Sequence, residues 1–398
     1  MRLEKLLEGV ETLSVAGPRG GELRGISYDS RSLRPGDLFA AIPGEKVDGN
    51  NFIREALGAG AAAILSEQPP QPEAGAAWVQ VRSIRRALAQ VAANFYGHPG
   101  RALKLIGITG TNGKTTTSFL LESILGQAGH RVGLFGTVEY HTAAGVLPAR
   151  QTTPEPVDLQ RFLAELREAG VRWVVMEVSS HGLALDRVYA CPFAAAVFTN
   201  LAQDHLDFHQ TMDNYFNAKK QLFLGCGAPP PPVCVLNADE PRRRELEAIC
   251  GGQVVLYSLQ ASAAAVRALR PQLSFSGIEF TLETPAGSIP IQSRLVGSAN
   301  LSNLLAAAAT AYAVGLPLQS IAGGIRALER IPGRFERVEA SQPFAVVVDF
   351  AHTDLAFTNL LETARALTRG RVLIVFGSGG DRDRTKRPVM GEIAGRLA

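Results

Sequence analysis

Residues 103–117 read LKLIGITGTNGKTTT, an apolar run followed by a glycine loop and the start of a helix. Glycines let a loop turn its backbone N–H groups toward phosphate oxygens, and the helix N-terminus adds positive potential. The lysine of such a loop bridges the β- and γ-phosphates, and the hydroxyl after it contacts Mg²⁺. The spacing departs from the usual GxxxxGK[ST], because Ile108 stands where the first glycine is expected, and a plain glycine turn is the alternative. The segment predicts an ATP-binding loop formed by Gly110, Thr111, Asn112, Gly113, Lys114, Thr115 and Thr116.

The chain around this loop divides into three predicted α/β domains, over residues 1–98, 99–332 and 333–398. In the middle domain apolar runs alternate with helical segments such as 156–169, which predicts a mostly parallel sheet covered on both faces. The turn-forming residues His98-Pro99-Gly100 indicate the first boundary. The predicted strands are 132–135, 173–178, 194–198, 233–236 and 254–256, followed by short antiparallel strands over 273–295.

The third domain is predicted to be incomplete. It contains a predicted strand over 345–349, a helix over 354–367 and a strand over 372–376, and the sequence then stops at Ala398. One βαβ unit and part of the next helix cannot close a sheet with two covered faces. We therefore expect a C-terminally truncated domain.

Composition and charge exclude several classes of protein. A formal net charge of +3 over 398 residues gives no electrostatic footprint for nucleic acid or an anionic membrane. The first residues show no apolar core followed by a cleavage site, and the longest apolar run, 304–316, is too short to span a bilayer. We expect a cytoplasmic monomer without nucleic-acid or membrane partners.

Two further polar groups follow predicted strands, and ligands gather at the carboxyl ends of parallel strands. Glu177 lies in the run 173–178, and His205 lies in the segment TNLAQDHLDFH, residues 199–209. A carboxylate at such a position can hold Mg²⁺, and its simpler interpretation is a polar cap of the strand. A lone histidine is more often structural, but its place after a third strand favours a ligand role for His205.

The predicted helix 214–224 places Lys219 on its inward-facing stripe. An ammonium group beside Mg²⁺ would be repelled, and burying it unpaired is costly. A carbamate on Lys219 would replace the positive charge with two oxygen ligands and complete a second metal site beside Glu177 and His205. The alternative is a lysine with a buried stem whose ammonium group reaches water.

Four segments resemble the Mur ligases, the ATP-dependent amide ligases of peptidoglycan synthesis. Within that family they are most similar to the enzymes that add the third amino acid to UDP-MurNAc-L-Ala-D-Glu. The resemblance implies a three-domain α/β fold, in which a central P-loop ATPase domain lies between a precursor-binding domain and an amino-acid-binding domain. The segments are TGTNGKTTT (109–117), SSHGLALDR (179–187), TNLAQDHLDFH (199–209) and YFNAKKQLF (215–223).

The resemblance also implies cofactors and roles for single residues. ATP and two Mg²⁺ ions would bind at the catalytic residues Lys114, Glu177, His205 and carbamylated Lys219, the last three being metal ligands together with Thr115. Asn303 and Arg334 would contact ATP, and Arg382 would meet the free amino acid, meso-diaminopimelate or L-lysine. Read without the family, Asn303 is a helix-start amide, Arg334 a linker cation and Arg187 a surface cation. Hydroxyl groups and one guanidinium would bind the UDP-MurNAc-dipeptide precursor, namely Tyr28, Ser30, Thr152, Thr153, Ser179 and Arg187.

One departure from the family pattern and two alternatives remain. The family usually reads AHTPD or AHNPD where this chain has Ala351-His352-Thr353-Asp354-Leu355, so weaker turnover is expected unless Asp354 replaces the missing aspartate. The first alternative is another Mur ligase or a folylpolyglutamate synthase, although the synthases usually read GTNGKGS and here Thr115-Thr116-Thr117 follows the lysine. The second alternative is an inactive, precursor-binding remnant.

Overall fold

The computed structural model describes residues 1–18, 21–44, 47–71, 75–377 and 386–398, which contain three sheets. The first sheet consists of β1 (Thr12–Ala16), β2 (Ile26–Ser27), β3 (Leu38–Ala40), β4 (Ala63–Ser66) and β5 (Ala77–Val81). Its order is β1-β5-β4-β3-β2, with β1 antiparallel to β5 and the other pairs parallel. The helices of this part are α1 (Leu3–Leu6), α2 (Ile53–Gly58) and α3 (Ile84–Phe95).

The central sheet has eleven strands in the described chain. In chain order they are β6 (Lys104–Thr109), β7 (Val132–Phe135), β8 (Glu139–Thr142), β9 (Gly145–Pro148), β10 (Trp173–Glu177), β11 (Phe193–Phe198), β12 (Val233–Asn237), β13 (Gln253–Ser258), β14 (Val266–Ser274), β15 (Gly277–Thr284) and β16 (Gly287–Ser293). The order across the sheet is β16-β15-β14-β13-β12-β11-β6-β10-β7-β8-β9. The strands from β14 to β7 in this order are parallel, and antiparallel strands extend both edges. The predicted parallel sheet and the antiparallel strands after it are confirmed.

Helices cover both faces of the central sheet, as predicted. They are α4 (Lys114–Gln127), α5 (Pro156–Glu168), α6 (Ser180–Ala184), α7 (Leu206–His209), α8 (Met212–Leu224), α9 (Arg243–Glu247), α10 (Ser298–Ala313) and α11 (Leu318–Ala327). Ile106 and Ile108 of β6 pack in one core with α4 and α10, while Leu105 packs in the other core with α5 and α8. Burial on both faces explains why these strands read as continuous apolar runs. None of the helices in the described ranges combines the length and the apolar character that crossing a membrane requires.

The strand order reverses beside β6. From β6 the chain crosses to β7 on one side of the sheet, whereas β11 and β12 lie on the other side. Crevices at such a switch point, outside the carboxyl ends of the strands, are where open α/β sheets bind ligands. The loops after β6, β10 and β11 therefore meet at one edge of the sheet.

The last part of the described chain contains β17 (Glu336–Val338), β18 (Val346–Val348), α12 (Asp354–Leu367) and α13 (Lys386–Leu397). The predicted strand over 345–349 and helix over 354–367 are confirmed. The predicted strand over 372–376 is wrong, because no described strand lies beside this segment to pair with its N–H and C=O groups. Leu373 and Val375 are 81% and 101% exposed, while the alternate side chains Val372 and Ile374 pack against the small core between α12 and α13. The domain boundaries at residues 98 and 332 stay predictions.

Candidate active site

The loop between β6 and α4 contains two glycines with left-handed backbone conformations. Gly110 has a φ of 145° and Gly113 has a φ of 88°. A Cβ atom at Gly110 would collide with Thr199 Oγ1, and one at Gly113 would collide with the side-chain oxygen of Asn303. Only glycine therefore fits both the backbone and the available space. The predicted ATP-contact residue Asn303 packs directly against the loop.

Two lysine side chains converge on one carbonyl oxygen of this loop. Lys114 Nζ donates to Gly110 O at 2.9 Å and to Thr111 O at 2.8 Å. Lys219 Nζ, from α8, also donates to Gly110 O at 2.9 Å, and it lies 4.2 Å from the centre of the Tyr215 ring. The two amines are close enough to repel one another when both are charged.

Lys219 is buried, with 1% of its surface exposed, as its place on the helix stripe predicted. The alternative of an ammonium group that reaches water is therefore wrong. Burial and the neighbouring charge of Lys114 hold the pKa of Lys219 well below its usual range, and the charge of Asp204 offsets only part of this. The Nζ atom of Lys219 hydrogen-bonds to the carbonyl oxygen of Gly110 and not to a carboxylate. Burial and the neighbouring charge of Lys114 thus favour the neutral amine, which is the nucleophilic form, over the ammonium.

Glu177 ends β10, and its side chain is fully buried. Its Oε1 accepts a hydrogen bond from the backbone N of Thr137 at 2.8 Å, and its Oε2 accepts one from Thr137 Oγ1 at 3.0 Å. Gly136 leaves room for the carboxylate, because a Cβ atom there would lie 2.5 Å from Oε1. Two hydrogen bonds hold the carboxylate in place but leave lone pairs on both oxygens, which suits a ligand for a cation.

His205 follows β11 and lies immediately before α7 in a left-handed conformation, with a φ of 54°. Its backbone N donates to Asp204 Oδ1 at 2.9 Å, and its Nε2 lies 3.4 Å from Asp204 Oδ2. Burial, together with nearby positive charges, lowers the pKa of His205 to about 4, although the charge of Asp204 opposes this shift. The imidazole is therefore neutral at pH 7, which is the form that binds metal ions.

Three hydroxyl groups predicted to bind the precursor lie around the end of β10. Thr152 Oγ1 lies 3.1 Å from Thr137 Oγ1, the hydroxyl that holds the Glu177 carboxylate. Thr153 Oγ1 donates to the backbone O of Glu177 at 2.9 Å and lies 3.2 Å from Ser179 Oγ. Ser179 itself caps the N-terminus of α6. The structure thus brings these hydroxyls and the Glu177 carboxylate into one hydrogen-bonded network.

Arg187 lies at the edge of the same network. Its Nη2 pairs with Glu155 Oε1 at 2.8 Å, and its Nη1 donates to the backbone O of Thr153 at 3.2 Å. Arg187 Nε is buried and has no hydrogen-bond partner among the described residues. An unpaired buried donor is costly, and an anionic ligand would satisfy it.

Two predicted precursor contacts lie on the first sheet's side of the molecule. Tyr28 OH donates to Asp158 Oδ2 of α5 at 2.6 Å and so joins that sheet to the central one. Ser30 begins the short 3-10 turn Ser30–Ser32, which Asp29 caps with its side chain. Tyr28 therefore lies at a contact with α5, and Tyr28 and Ser30 belong to a different part of the chain than Thr152 and Thr153.

The last part of the chain reaches the nucleotide loop through Arg334. Its Nη2 donates to Thr115 Oγ1 at 3.0 Å, and its buried Nε has no hydrogen-bond partner among the described residues. Thr116, the next residue of α4, is buried in the same turn. Arg382, predicted to meet the amino acid, lies outside the described residues.

The unusual pair Asp354-Leu355 lies at the start of α12. Thr353 caps this helix by accepting from Ala356 N at 3.2 Å, and Asp354 stands in its first turn. Asp354 Oδ1 is buried without a hydrogen-bond partner in the described part of the chain, while Leu355 is 43% exposed. Of these two side chains, Asp354 is thus the one with an oxygen atom in the interior, as its replacement of the family aspartate would require.

The donor groups fit magnesium better than a softer metal, because carboxylate and hydroxyl oxygens predominate. No three His, Cys, Asp or Glu side chains of the described ranges lie close enough together to hold an ion by themselves. Mg²⁺ is commonly held by one or two carboxylates together with substrate phosphates and water. Glu177, His205 and Thr115 are the residues that would hold such ions beside a bound nucleotide.

Some residues of this site were not singled out from the sequence. Thr137 holds Glu177, and Asn200 Oδ1 accepts from Asn112 N at 2.9 Å in the nucleotide loop. Asp204 supports His205 and also pairs with Lys386. The sequence could have indicated Thr137, because this polar residue follows the predicted strand 132–135, just as Glu177 lies at the end of the predicted strand 173–178.

Three family models match successive parts of the chain. The model of the Mur ligase family, catalytic domain, matches residues 22–96. The Mur ligase middle domain matches residues 108–311, and the Mur ligase, glutamate ligase domain, matches residues 333–398.

Individual proteins are similar over nearly the whole chain. The UDP-N-acetylmuramoyl-L-alanyl-D-glutamate--2,6-diaminopimelate ligase of Solibacter usitatus is 47% identical, covering 99% of this chain and 80% of that protein. The enzyme of the same name from Geobacter metallireducens is 44% identical, covering 100% of this chain and 78% of the other. A solved structure of a ligase with this name is 30% identical with a TM-score of 0.78, covering 100% of this chain and 81% of that one. These matches leave the expected C-terminal truncation unconfirmed.

Proposed function

The chain belongs to the Mur ligase family and is an ATP-dependent ligase, and from that premise we propose that it adds the third amino acid to UDP-MurNAc-L-Ala-D-Glu. The relatives from Solibacter usitatus and Geobacter metallireducens are named as 2,6-diaminopimelate ligases, which favours meso-diaminopimelate over L-lysine as that amino acid. The same names count against a folylpolyglutamate synthase. Peptidoglycan synthesis is the process that this reaction serves.

The observation that carries the proposal is that Glu177 lies beside both the nucleotide loop and the hydroxyls predicted to bind the precursor. Its carboxylate lies at the strand end next to the nucleotide loop, and its backbone O accepts from Thr153 Oγ1 at 2.9 Å. Thr137 joins the two sides, since it holds the Glu177 carboxylate and lies 3.1 Å from Thr152 Oγ1. A nucleotide bound at the loop and a precursor bound at Thr152 and Thr153 would therefore meet at one point. Such proximity is what transfer of a phosphoryl group requires.

The proposed reaction has two steps. A D-glutamate carboxylate oxygen of the precursor attacks the γ-phosphorus of ATP, ADP leaves, and an acyl phosphate forms. The amine of the amino acid then attacks the acyl carbon, phosphate leaves, and the amine loses a proton as the amide forms. Lys114 would leave the carbonyls that it contacts in this structure and neutralise charge on the transferring group. Mg²⁺, when bound, would withdraw further charge from the phosphate oxygens.

Carbamylation of Lys219 is part of the proposal. The neutral amine would attack CO₂, forming an N–C bond and releasing a proton, and two oxygens would then replace an amine that Lys114 repels. The support is the burial of Lys219, its lowered pKa and the hydrogen bond that it shares with Lys114 on Gly110 O. Carbamylation would place an anionic group, instead of a second amine, beside Lys114 and add a ligand where cations are expected.

The direct test is to identify the product by mass spectrometry. The protein incubated with ATP, Mg²⁺, UDP-MurNAc-L-Ala-D-Glu and meso-diaminopimelate should form the UDP-MurNAc-tripeptide. L-lysine in place of meso-diaminopimelate should give much less product, and omission of the precursor should prevent amino-acid-dependent ADP formation. Precursor binding without any tripeptide would instead support the inactive remnant and overturn the proposed activity.

A second prediction concerns precursor binding at Arg187. Replacing Arg187 with glutamine should weaken binding of UDP-MurNAc-L-Ala-D-Glu by about 10- to 100-fold, because a charge-assisted hydrogen bond contributes roughly 1.5–3 kcal/mol. Isothermal titration calorimetry measures this effect without ATP. Arg167→Gln is the matched control. Arg167 is an arginine of α5 that does not belong to the predicted site, and its Nη1 donates to Gly97 O at 3.4 Å. Equal dissociation constants for the two variants would remove Arg187 from the precursor site.

A further inference from the structure

Asp204 forms a buried junction between two distant parts of the chain. Its Oδ1 accepts from Lys386 Nζ at 2.6 Å and from the backbone N of His205 at 2.9 Å. Its Oδ2 lies 3.4 Å from His205 Nε2 and 4.0 Å from His352 Nε2. The side chains of Asp204 and Lys386 are only 7% and 14% exposed, so solvent screens their attraction weakly.

The two partners are anchored in different structural units. Asp204 belongs to the loop after β11, at the switch point of the central sheet. Lys386 is the first residue of α13, and this helix packs on α12 through Met390 and Ile393. The ion pair therefore links the α12–α13 pair to the central sheet.

Two other contacts depend on that position. Arg334 Nη2 donates to Thr115 Oγ1 at 3.0 Å, and Thr353 Oγ1, at the start of α12, lies 3.4 Å from Asn112 Oδ1. Both end on the nucleotide loop or the first turn after it. The first joins a guanidinium to a neutral hydroxyl and the second joins a hydroxyl to a neutral amide oxygen, whereas the contact between Asp204 and Lys386 joins two opposite charges.

We propose that Asp204 and Lys386 are positioning residues for phosphoryl transfer. Their ion pair holds the part of the chain after residue 333 over the nucleotide loop, so that Arg334 reaches α4. The same carboxylate holds the backbone and ring of His205. One side chain thus sets the position of a predicted metal ligand and, through Lys386, the position of a predicted phosphate-side arginine.

The kinetic test of this inference rests on the proposed ligase activity. Lys386→Met and Asp204→Asn should each lower kcat by roughly 10²-fold, because small displacements of catalytic groups have effects of that size. The affinity for UDP-MurNAc-L-Ala-D-Glu, measured by calorimetry, should stay unchanged, and Lys386→Arg should recover most of the activity. The double variant should be no slower than the slower single variant, since Lys386→Met removes only the ion pair that Asp204→Asn also removes. Additive losses, or a parallel loss of precursor affinity, would overturn the assignment.

A second measurement is independent of activity. Hydrogen–deuterium exchange should become faster in peptides covering 199–206 and 333–338 in Lys386→Met, because the His205 N–H and the Arg334 contact lose their support. Arg396→Met is the matched control, a cation exposed on the same helix α13, and its exchange should equal that of the unmodified protein. Equal exchange in Lys386→Met and Arg396→Met would overturn the inference even when ligation is normal. Faster exchange in a protein that does not ligate would support the positioning role and count against the proposed function alone.

Discussion

Changing Glu177 to glutamine is expected to lower the rate of ligation by about 10³-fold while the protein stays folded. The amide keeps a hydrogen-bond acceptor for Thr137 but loses the negative charge, and loss of a metal ligand removes several kcal/mol of transition-state stabilisation. About 4 kcal/mol corresponds to three orders of magnitude in rate. Steady-state kinetics with a titration of Mg²⁺ measures the effect. Glu168→Gln is the matched control, because that carboxylate is 72% exposed at the end of α5.

Lys114, Glu177 and His205 should behave as one unit in this experiment. Alanine at any of the three should cause a large loss, and pairs of changes should lose much less than the product of the single losses. His205 is the most informative member, since a structural histidine is its common alternative. Near-normal turnover of His205→Ala with an unchanged Mg²⁺ dependence would remove His205 as a ligand, and the two-metal centre with it.

Lys219→Ala should also be nearly inactive, and short-chain carboxylic acids should restore part of the activity. The shortened side chain leaves a buried space beside Gly110 O in which a carboxylate can take the place of the carbamate oxygens. We expect a loss of about 10²- to 10³-fold without additive, in line with the removal of a metal ligand. Lys220→Ala is the matched control, because Lys220 is the next residue of α8 and pairs with Glu245 on the other face.

The carbamate also has a signature apart from activity. After exposure to ¹³C-bicarbonate, the unmodified protein should give a carbamate carbon signal by NMR that Lys219→Ala lacks and Lys220→Ala keeps. Full activity of Lys219→Ala without additives would show that no group on this side chain is required.

Local patterns predicted the elements that carry the site. Short-range signals were enough for three features. Glycine spacing predicted the nucleotide loop, capping predicted the helix over 354–367, and helical periodicity predicted that Lys219 points inward. The prediction that Glu177 and His205 lie at one sheet edge rested on a general property of parallel sheets. The roles of these residues with ATP, metal and precursor came from the resemblance to the Mur ligases and stay predictions.

Contacts between distant parts of the chain could not be predicted in the same way. Asp204 and Lys386 are 182 positions apart, and nothing in either local sequence points to the other. The predicted strand over 372–376 failed for a related reason. Its apolar, β-branched sequence is typical of a strand, but a strand also needs a neighbour, and sequence periodicity carries no information about pairing partners.

The central claim is that the protein forms the amide through an acyl phosphate on the precursor. Transfer of oxygen from the precursor to phosphate tests this claim most directly. UDP-MurNAc-L-Ala-D-Glu labelled with ¹⁸O in its D-glutamate carboxylates should be incubated with the protein, ATP, Mg²⁺ and meso-diaminopimelate, and the released phosphate analysed by mass spectrometry. If an acyl phosphate forms on the D-glutamate carboxylate, at the sheet edge beside Glu177, one labelled carboxylate oxygen leaves with the phosphate. Each phosphate released as an amide forms should therefore contain one ¹⁸O atom. Tripeptide formation with unlabelled phosphate, or ATP hydrolysis without any transfer of label, would contradict the account.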